Sequence, residues 1–174
     1  NQTNFNASGS EVSAGLLSTF LRVNYGYQDK YLFTATVRRD GSSKFGPDKR
    51  YGVFPSGSVA WRLSEERFLQ SSGFIDDLKL RASYGLTGNQ NIGNFAFITR
   101  AGAAPYVFGN NVVVGNAPQN IGNPNLQWEA TKQFDVGVDL SILEGRIYAT
   151  VDYYDKQSED LLVSTPIPLT SGVG

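Results

Sequence analysis

Apolar and polar residues alternate with a period of two along most of this chain, and no helical period is sustained beyond a turn or two. That pattern restricts the chain to extended strands with one apolar and one polar face. In LLSTFLRVNYGY (Leu16–Tyr27), Leu17, Leu21, Val23, Tyr25 and Tyr27 share a face opposite Arg22, Asn24 and Gly26; Phe20 breaks the pattern. YLFTATVRR (Tyr31–Arg39) sets Tyr31, Phe33, Ala35 and Val37 against Thr34, Thr36 and Arg38. YGVFPSGSVAWR (Tyr51–Arg62) sets Tyr51, Val53, Val59 and Trp61 against Ser56, Ser58 and Arg62, and its Pro55 and Gly57 predict a bulge or bend. LKLRASYGLT (Leu78–Thr87), LQWEATKQFDVGVDLSI (Leu126–Ile142) and RIYATVDYYD (Arg146–Asp155) continue the series to six strands.

The connections differ in kind. QDK (Gln28–Lys30) and LEG (Leu143–Gly145) are tight turns. RRDGSSKFG (Arg38–Gly46) opens a connection that leaves the strand at Asp40. The region from Gly88 to Pro124 is long and rich in Gly, Asn and Ala, with a small hairpin expected in PYVFGNNVVVG around Asn110 and Asn111. Leu63–Asp77 is a connector whose Ser-Glu-Glu start suits the cap of a short helical turn.

Composition removes whole classes of chemistry. The chain has neither Cys nor His, which excludes disulfides, thiol nucleophiles, Ser-His-Asp catalysis and nearly all transition-metal sites. Fifteen Lys plus Arg against 16 Asp plus Glu leave no basic excess for nucleic acid. No apolar run reaches the length of a membrane-spanning helix, and the polar start NQTNFNASGSEVSAG has no signal-peptide pattern. The absence of Met suits a mature protein or a piece of a longer one.

Alternation alone leaves two architectures open. In a soluble sandwich the apolar face is the core; in a transmembrane barrel it meets lipid while the polar face lines the lumen. Short and long connections broadly alternate, as in membrane barrels, with Leu63–Asp77 longer than that rule wants. Tyr25, Tyr27, Tyr31 and Trp61 gather at one end of the apolar face, as an interfacial girdle does. The polar faces carry Arg22, Arg38, Arg62, Lys79, Arg81, Asp135, Asp139 and Asp152, which suit either a wet lumen or an exposed sheet. Lys132 interrupts the apolar face; it is expected in water above the lipid band, with Phe134 as an outer girdle residue. Six strands do not close a barrel, so partner strands are required.

Taken together, RRDGSSKFG, FPSGSVAWRLSEERF, IDDLKLRASYGLTGNQNIG and NPNLQWEATKQFDVGVDLSILEGRIYATVDYYDKQSEDLL resemble the later barrel region of SusC/RagA-type TonB-dependent outer-membrane transporters, in order and approximate spacing over most of residues 18–174. The resemblance implies an all-β fold: an antiparallel transmembrane segment contributing six strands to a barrel of about 22, with long extracellular loops. Residues 1–174 then belong to one barrel domain, with the plug domain and remaining strands absent from them. It implies TonB-driven import of oligosaccharides or peptides across the outer membrane of Bacteroidetes-like bacteria, with outer-membrane lipid, a SusD-like surface lipoprotein and TonB as partners. It implies no enzyme and no cofactor. The alternative is a soluble β-sandwich carbohydrate-binding module; a carboxylate-based hydrolase is a weaker third reading.

Candidate sites are few. Arg39, Asp40, Gly41, Ser42, Ser43 and Phe45 read as a shared structural turn at the extracellular rim rather than a phosphate loop, because Lys44 follows the serines instead of preceding them. Tyr106 and Phe108 in the long loop, and Tyr148 and Tyr154 on the polar face of the last strand, are substrate-contact candidates, since aromatic faces stack on ligands. The pairs Glu65/Glu66, Asp76/Asp77 and Glu159/Asp160 are poor acid-base candidates, because neighbours on a strand point oppositely. Asp152–Asp160 offers oxygens for Ca²⁺ without EF-hand order, so no catalytic or metal residue is assigned. The sequons at Asn1 and Asn6 read as incidental.

Overall fold

The computed structural model describes residues 11–70, 73–165 and 168; the two sequons lie outside them. The chain runs as β1 (Leu16–Tyr27), β2 (Tyr31–Ser42), β3 (Tyr51–Arg62), α1 (Arg67–Gln70), β4 (Ile75–Asn89), β5 (Ala101–Phe108), β6 (Asn111–Pro118), β7 (Glu129–Ile142) and β8 (Ile147–Glu159). Six strands form one antiparallel sheet in the order β1-β2-β3-β4-β7-β8, while β5 and β6 pair only with each other. The sheet is a meander: each strand neighbours the next except where β5 and β6 intervene. Both edges, β1 and β8, are open, and every residue of these two strands is exposed.

The six strands and the small hairpin form close to where alternation puts them, with β4 longer at both ends than Leu78–Thr87 and β8 running on past Asp155 to Glu159; four further details differ. β2 continues through Ser42 and pairs with β1 as far as Leu16↔Ser42, so Asp40 is a strand residue rather than the start of a loop. Pro55 produces no bulge: β3 stays in continuous register with β2 through Val37↔Pro55. Its effect falls on the other side, where pairing with β4 begins only at Ser56↔Gly85, since proline has no N–H to donate. β7 starts at Glu129, and Leu126 and Trp128 leave the apolar face to pack elsewhere. The Leu63–Asp77 connector forms two short helical turns, a 3-10 turn at Leu63–Glu65 and α1, but Ser64 caps neither. Its hydroxyl donates instead to Asp77 Oδ1 at 2.8 Å.

The turns explain the register. Gln28 and Asp29 both adopt left-handed φ (53° and 54°), and the Lys30 amide donates to Tyr27 O at 3.1 Å. This twist lets Tyr27 face Tyr31 directly. In the hairpin, Gly109 (φ +63°) and Asn110 reverse the chain so that Phe108 faces Asn111.

Burial separates the two architectures. Among the described residues the only buried apolar side chains are Phe45, Phe54 and Trp128, whereas Leu21 (68%), Val23 (55%) and Val151 (70%) stand open on the apolar face. A sandwich would bury that face against a second sheet. The second sheet here is the β5–β6 hairpin, whose own Val107, Phe108, Val112 and Val114 are themselves exposed.

Candidate functional site

The polar face of the sheet is concave. A hollow of about 700 Å³ is lined by Ser18, Arg22, Thr36, Arg38, Ser56 and Asp135, contributed by β1, β2, β3 and β7. Alternation puts these side chains on one face, and sheet twist curves that face inward.

Toward the end carrying the short turns, ion pairs staple three strands. Asp139 on β7 accepts Arg81 Nε at 2.9 Å, Arg81 Nη2 at 3.0 Å and Thr150 Oγ1 at 3.2 Å, and pairs with Lys79 Nζ at 2.9 Å. Arg81 Nη2 also reaches Asp152 Oδ1 on β8 at 2.9 Å. The register accounts for this reach. Arg81 lies across from Gly137, which lies across from Asp152, and a Cβ at position 137 would strike both the Asp152 carboxylate and the guanidinium. Glycine at 137 therefore lets one guanidinium span β7. Farther along the same face, Asp135 accepts from Ser83 Oγ (3.1 Å) and Gln133 Nε2 (2.8 Å).

At the opposite end lies a compact rim core. Phe45 and Trp128 have ring centroids 5.2 Å apart, and Phe54 meets Trp128 edge-on at 5.5 Å. Leu86, Ile92, Leu126 and Leu162 pack around them. Trp128 Nε1 donates to Arg50 O at 3.0 Å, and the same carbonyl accepts the Ser42 amide at 3.1 Å. The serine hydroxyls serve backbone: Ser42 Oγ accepts the Lys44 amide (3.2 Å) and Ser43 Oγ accepts the Gly15 amide (2.8 Å). Asp40, 3% exposed, holds Arg38 Nε at 2.7 Å. Arg39 points to the other face, where its guanidinium carbon sits 4.1 Å from the Tyr51 ring centroid. Trp128 and Phe54 were not among the candidate residues. Phe54 carried a signal, because it is an aromatic in the polar phase of β3; Trp128 carried none, because it fitted the alternation of a strand that starts one residue later.

The four aromatic contact candidates fall into two groups. Tyr148 and Tyr154 lie opposite Ser141 and Asp135, on the concave polar face, and are 68% and 66% exposed. Tyr106 and Phe108 share one face of the β5–β6 hairpin. The carboxylate pairs are divided among separate tasks. Asp76 accepts the Gly145 amide at 2.9 Å while Asp77 serves Ser64, and Glu159 pairs with Lys132. Lys132 therefore has a carboxylate beside it on the apolar face.

At the short-turn end the apolar face carries an aromatic row. Tyr27, Tyr31 and Trp61 stack at 6.4 and 6.1 Å across β1, β2 and β3. The polar tips of Tyr31 and Trp61 meet one carboxylate in the third connection, while Tyr27 OH accepts from Gln28 Nε2 at 3.2 Å. Glu66 Oε1 accepts Tyr31 OH at 3.0 Å and Trp61 Nε1 at 3.3 Å, and Oε2 pairs with Lys30 Nζ at 3.1 Å. The Lys30 ammonium, then the tyrosine hydroxyl, hold the Glu66 carboxyl below its ordinary pKa.

The family described as "TonB dependent receptor-like, beta-barrel" matches residues 1–174. The TonB-dependent receptor P39 of Formosa agariphila is 45% identical over 170 residues, which cover 97% of this chain and 16% of that protein. The TonB-dependent receptor SusC of Bacteroides thetaiotaomicron is 42% identical over 159 residues, 88% of this chain and 16% of that protein. The chain thus spans 16% of the length of each of these relatives. Among solved structures, the RagAB peptide transporter superposes with a TM-score of 0.83 at 34% identity, covering 91% of this chain and 17% of that one.

Proposed function

This chain belongs to the TonB-dependent receptor β-barrel family, in its SusC/RagA branch, and on that premise we propose that it is a stretch of wall in an outer-membrane importer of oligosaccharides or peptides. The observation that carries the reading is the inversion of burial. The apolar face stands open while the polar face gathers ion pairs and a hollow, as lipid outside and water inside require. The two open edges, β1 and β8, are where further strands of a longer chain continue the barrel, and an N-terminal plug occupies the lumen. Energy comes through TonB, and a SusD-like lipoprotein covers the outer mouth. The named relatives are receptors and transporters, which supports a non-enzymatic role. Relatives from Formosa and Bacteroides support a Bacteroidetes-like outer membrane.

In this reading Tyr148 and Tyr154 face the route of the substrate, and Tyr106 and Phe108 meet it, or the lid, outside. Arg39, Asp40, Gly41, Ser42, Ser43 and Phe45 hold the rim in shape and leave cargo selection to other residues. The test uses the full-length protein in its native membrane. Extraction should require detergent, and uptake of oligosaccharide or peptide should depend on TonB. Recovery in the aqueous fraction without detergent would restore the β-sandwich reading.

A further inference from the structure

We propose that the β3–β4 connection is a membrane-surface clip, in which Glu66 fastens the connection to the lipid-facing aromatic row and Phe68 inserts into the adjoining phospholipid leaflet. The proposal rests on the barrel reading above. Its starting point is a division of side chains between the two faces at the end of the sheet. On one side, Arg62 Nη2 pairs with Glu65 Oε1 at 3.2 Å and Ser64 Oγ donates to Asp77; Arg62 and Asp77 belong to the polar face. On the other side, Glu66 takes its hydrogen bonds from Tyr31 and Trp61, which belong to the apolar face. The side chains of residues 65 and 66 therefore divide between the two faces, which sets this part of the connection beneath the end of the wall.

The short helix starts from that anchorage. The amides of Leu69 and Gln70 both donate to Glu66 O, at 2.9 and 3.0 Å, so α1 is fixed to the residue that grips the aromatic row. Phe68 then stands 68% exposed, with Arg67 exposed beside it. Phe68 is thereby exposed two residues from the side chain that holds the aromatic row, so it adds to a larger open apolar surface instead of standing alone. Continuity selects the cover: the Tyr27–Tyr31–Trp61 row runs directly into the open apolar face of Val23 and Val59. Tyrosine and tryptophan in such a row, with polar tips toward the strand ends, mark the boundary between acyl chains and headgroups. Arg67, exposed beside Phe68, brings positive charge to the level of the lipid phosphates, while Lys30 is committed to Glu66. This also accounts for the one connection at this end that is not a tight turn: its extra residues hold a surface anchor.

The experiment places single nitroxide labels on the full-length transporter in phosphatidylethanolamine–phosphatidylglycerol vesicles, through Phe68→Cys, Gln70→Cys and Val59→Cys on a background without other cysteines. Residues 68 and 70 lie on opposite sides of a helical turn. The label at 68 should collide more with oxygen than with a water-soluble nickel chelate, at a shallower depth than 59, while the label at 70 favours nickel. Adding Glu66→Ala should bring the oxygen-to-nickel ratio at 68 toward that at 70; Glu66→Gln, which keeps an acceptor for Tyr31 and Trp61, should lower it less. A nickel-accessible label at 68 beside a lipid-like label at 59 would overturn the clip and leave the barrel intact. A label at 68 shielded from both reagents would overturn it in favour of a protein cover. A water-like signal at 59 would overturn the barrel reading and the clip together.

Discussion

The rim and the wall of this sheet use the same kinds of side chain in opposite ways. At the rim, Phe45, Phe54 and Trp128 are buried against one another, and the Trp128 indole N–H is spent on a backbone carbonyl. In the wall, Leu21, Val23, Val59 and Val151 project outward and are 48–70% exposed. The rim is stabilised as a soluble protein is, by removing apolar area from water and interlocking aromatic rings. The wall offers the same kind of apolar area to an outside solvent and holds itself together by backbone pairing and by cross-strand polar contacts. One chain can do both because a strand changes environment along its length: β3 carries Phe54 in the rim core and Trp61 in the girdle at its far end.

Substitutions can break this contrast, and the largest effect is expected at the rim. Trp128→Ala or Phe54→Ala should cost about 3–5 kcal/mol, the usual loss for a buried aromatic. Hydrogen exchange at the outer ends of β3 and β7 in the full-length protein should show it, and unchanged protection there would mean the three rings do not form a core. In the wall, Val59→Arg should cost about 2–4 kcal/mol if the residue lies near mid-bilayer. The check is the unfolding midpoint in lipid vesicles, with Val59→Ala as the mild control. A neutral effect of arginine would place that face in water.

On the polar face, Asp139→Asn leaves Lys79 and Arg81 without their shared carboxylate. Because Arg81 is partly exposed to water, the loss should be about 1–3 kcal/mol. Gly137→Ala should weaken the same staple by obstructing Arg81, and a double mutant less destabilised than the sum of the two would show that both act on it. The smallest effect concerns pH. The folded-state pKa of Glu66 is lowered, so its contribution is present above the ordinary carboxylate range and is lost as pH falls through that range toward the folded value. The nitroxide signal at 68 should therefore become more water-like in acid, and Glu66→Gln should remove that dependence.

Several features were legible in the residues alone because they are local. Strand faces follow from a period of two, and a turn such as QDK or LEG is set by a handful of neighbouring residues. The hairpin around Asn110 was legible for the same reason. The misplacements share a different cause. Pro55 and Gly57 predict a bulge or bend, but the sequence does not say which neighbour needs the missing N–H of the proline; β2 does not, and on the β4 side the ladder stops there. Trp128 fitted the alternation, and only its position beside Phe45 and Phe54 removes it from the strand. Asp40 has the residue type of a loop, and only the pairing of β2 with β1 carries the strand past it.

What the sequence by itself determined is the alternation, hence an antiparallel meander with one apolar and one polar face, and a vocabulary of motifs sufficient to place the chain in its family. Only the tertiary structure decided which apolar residues are core and which are outward surface. It also decided which carboxylates Lys30, Lys79 and Arg81 hold, and that Glu66, four residues beyond Arg62, returns to grip Tyr31 and Trp61. The physical reason is range. Alternation is a property of neighbouring peptide units, whereas burial and ion pairing depend on which strands lie side by side, and residues such as Arg81 and Asp139 meet only after the long loop between β4 and β7 has brought those strands together.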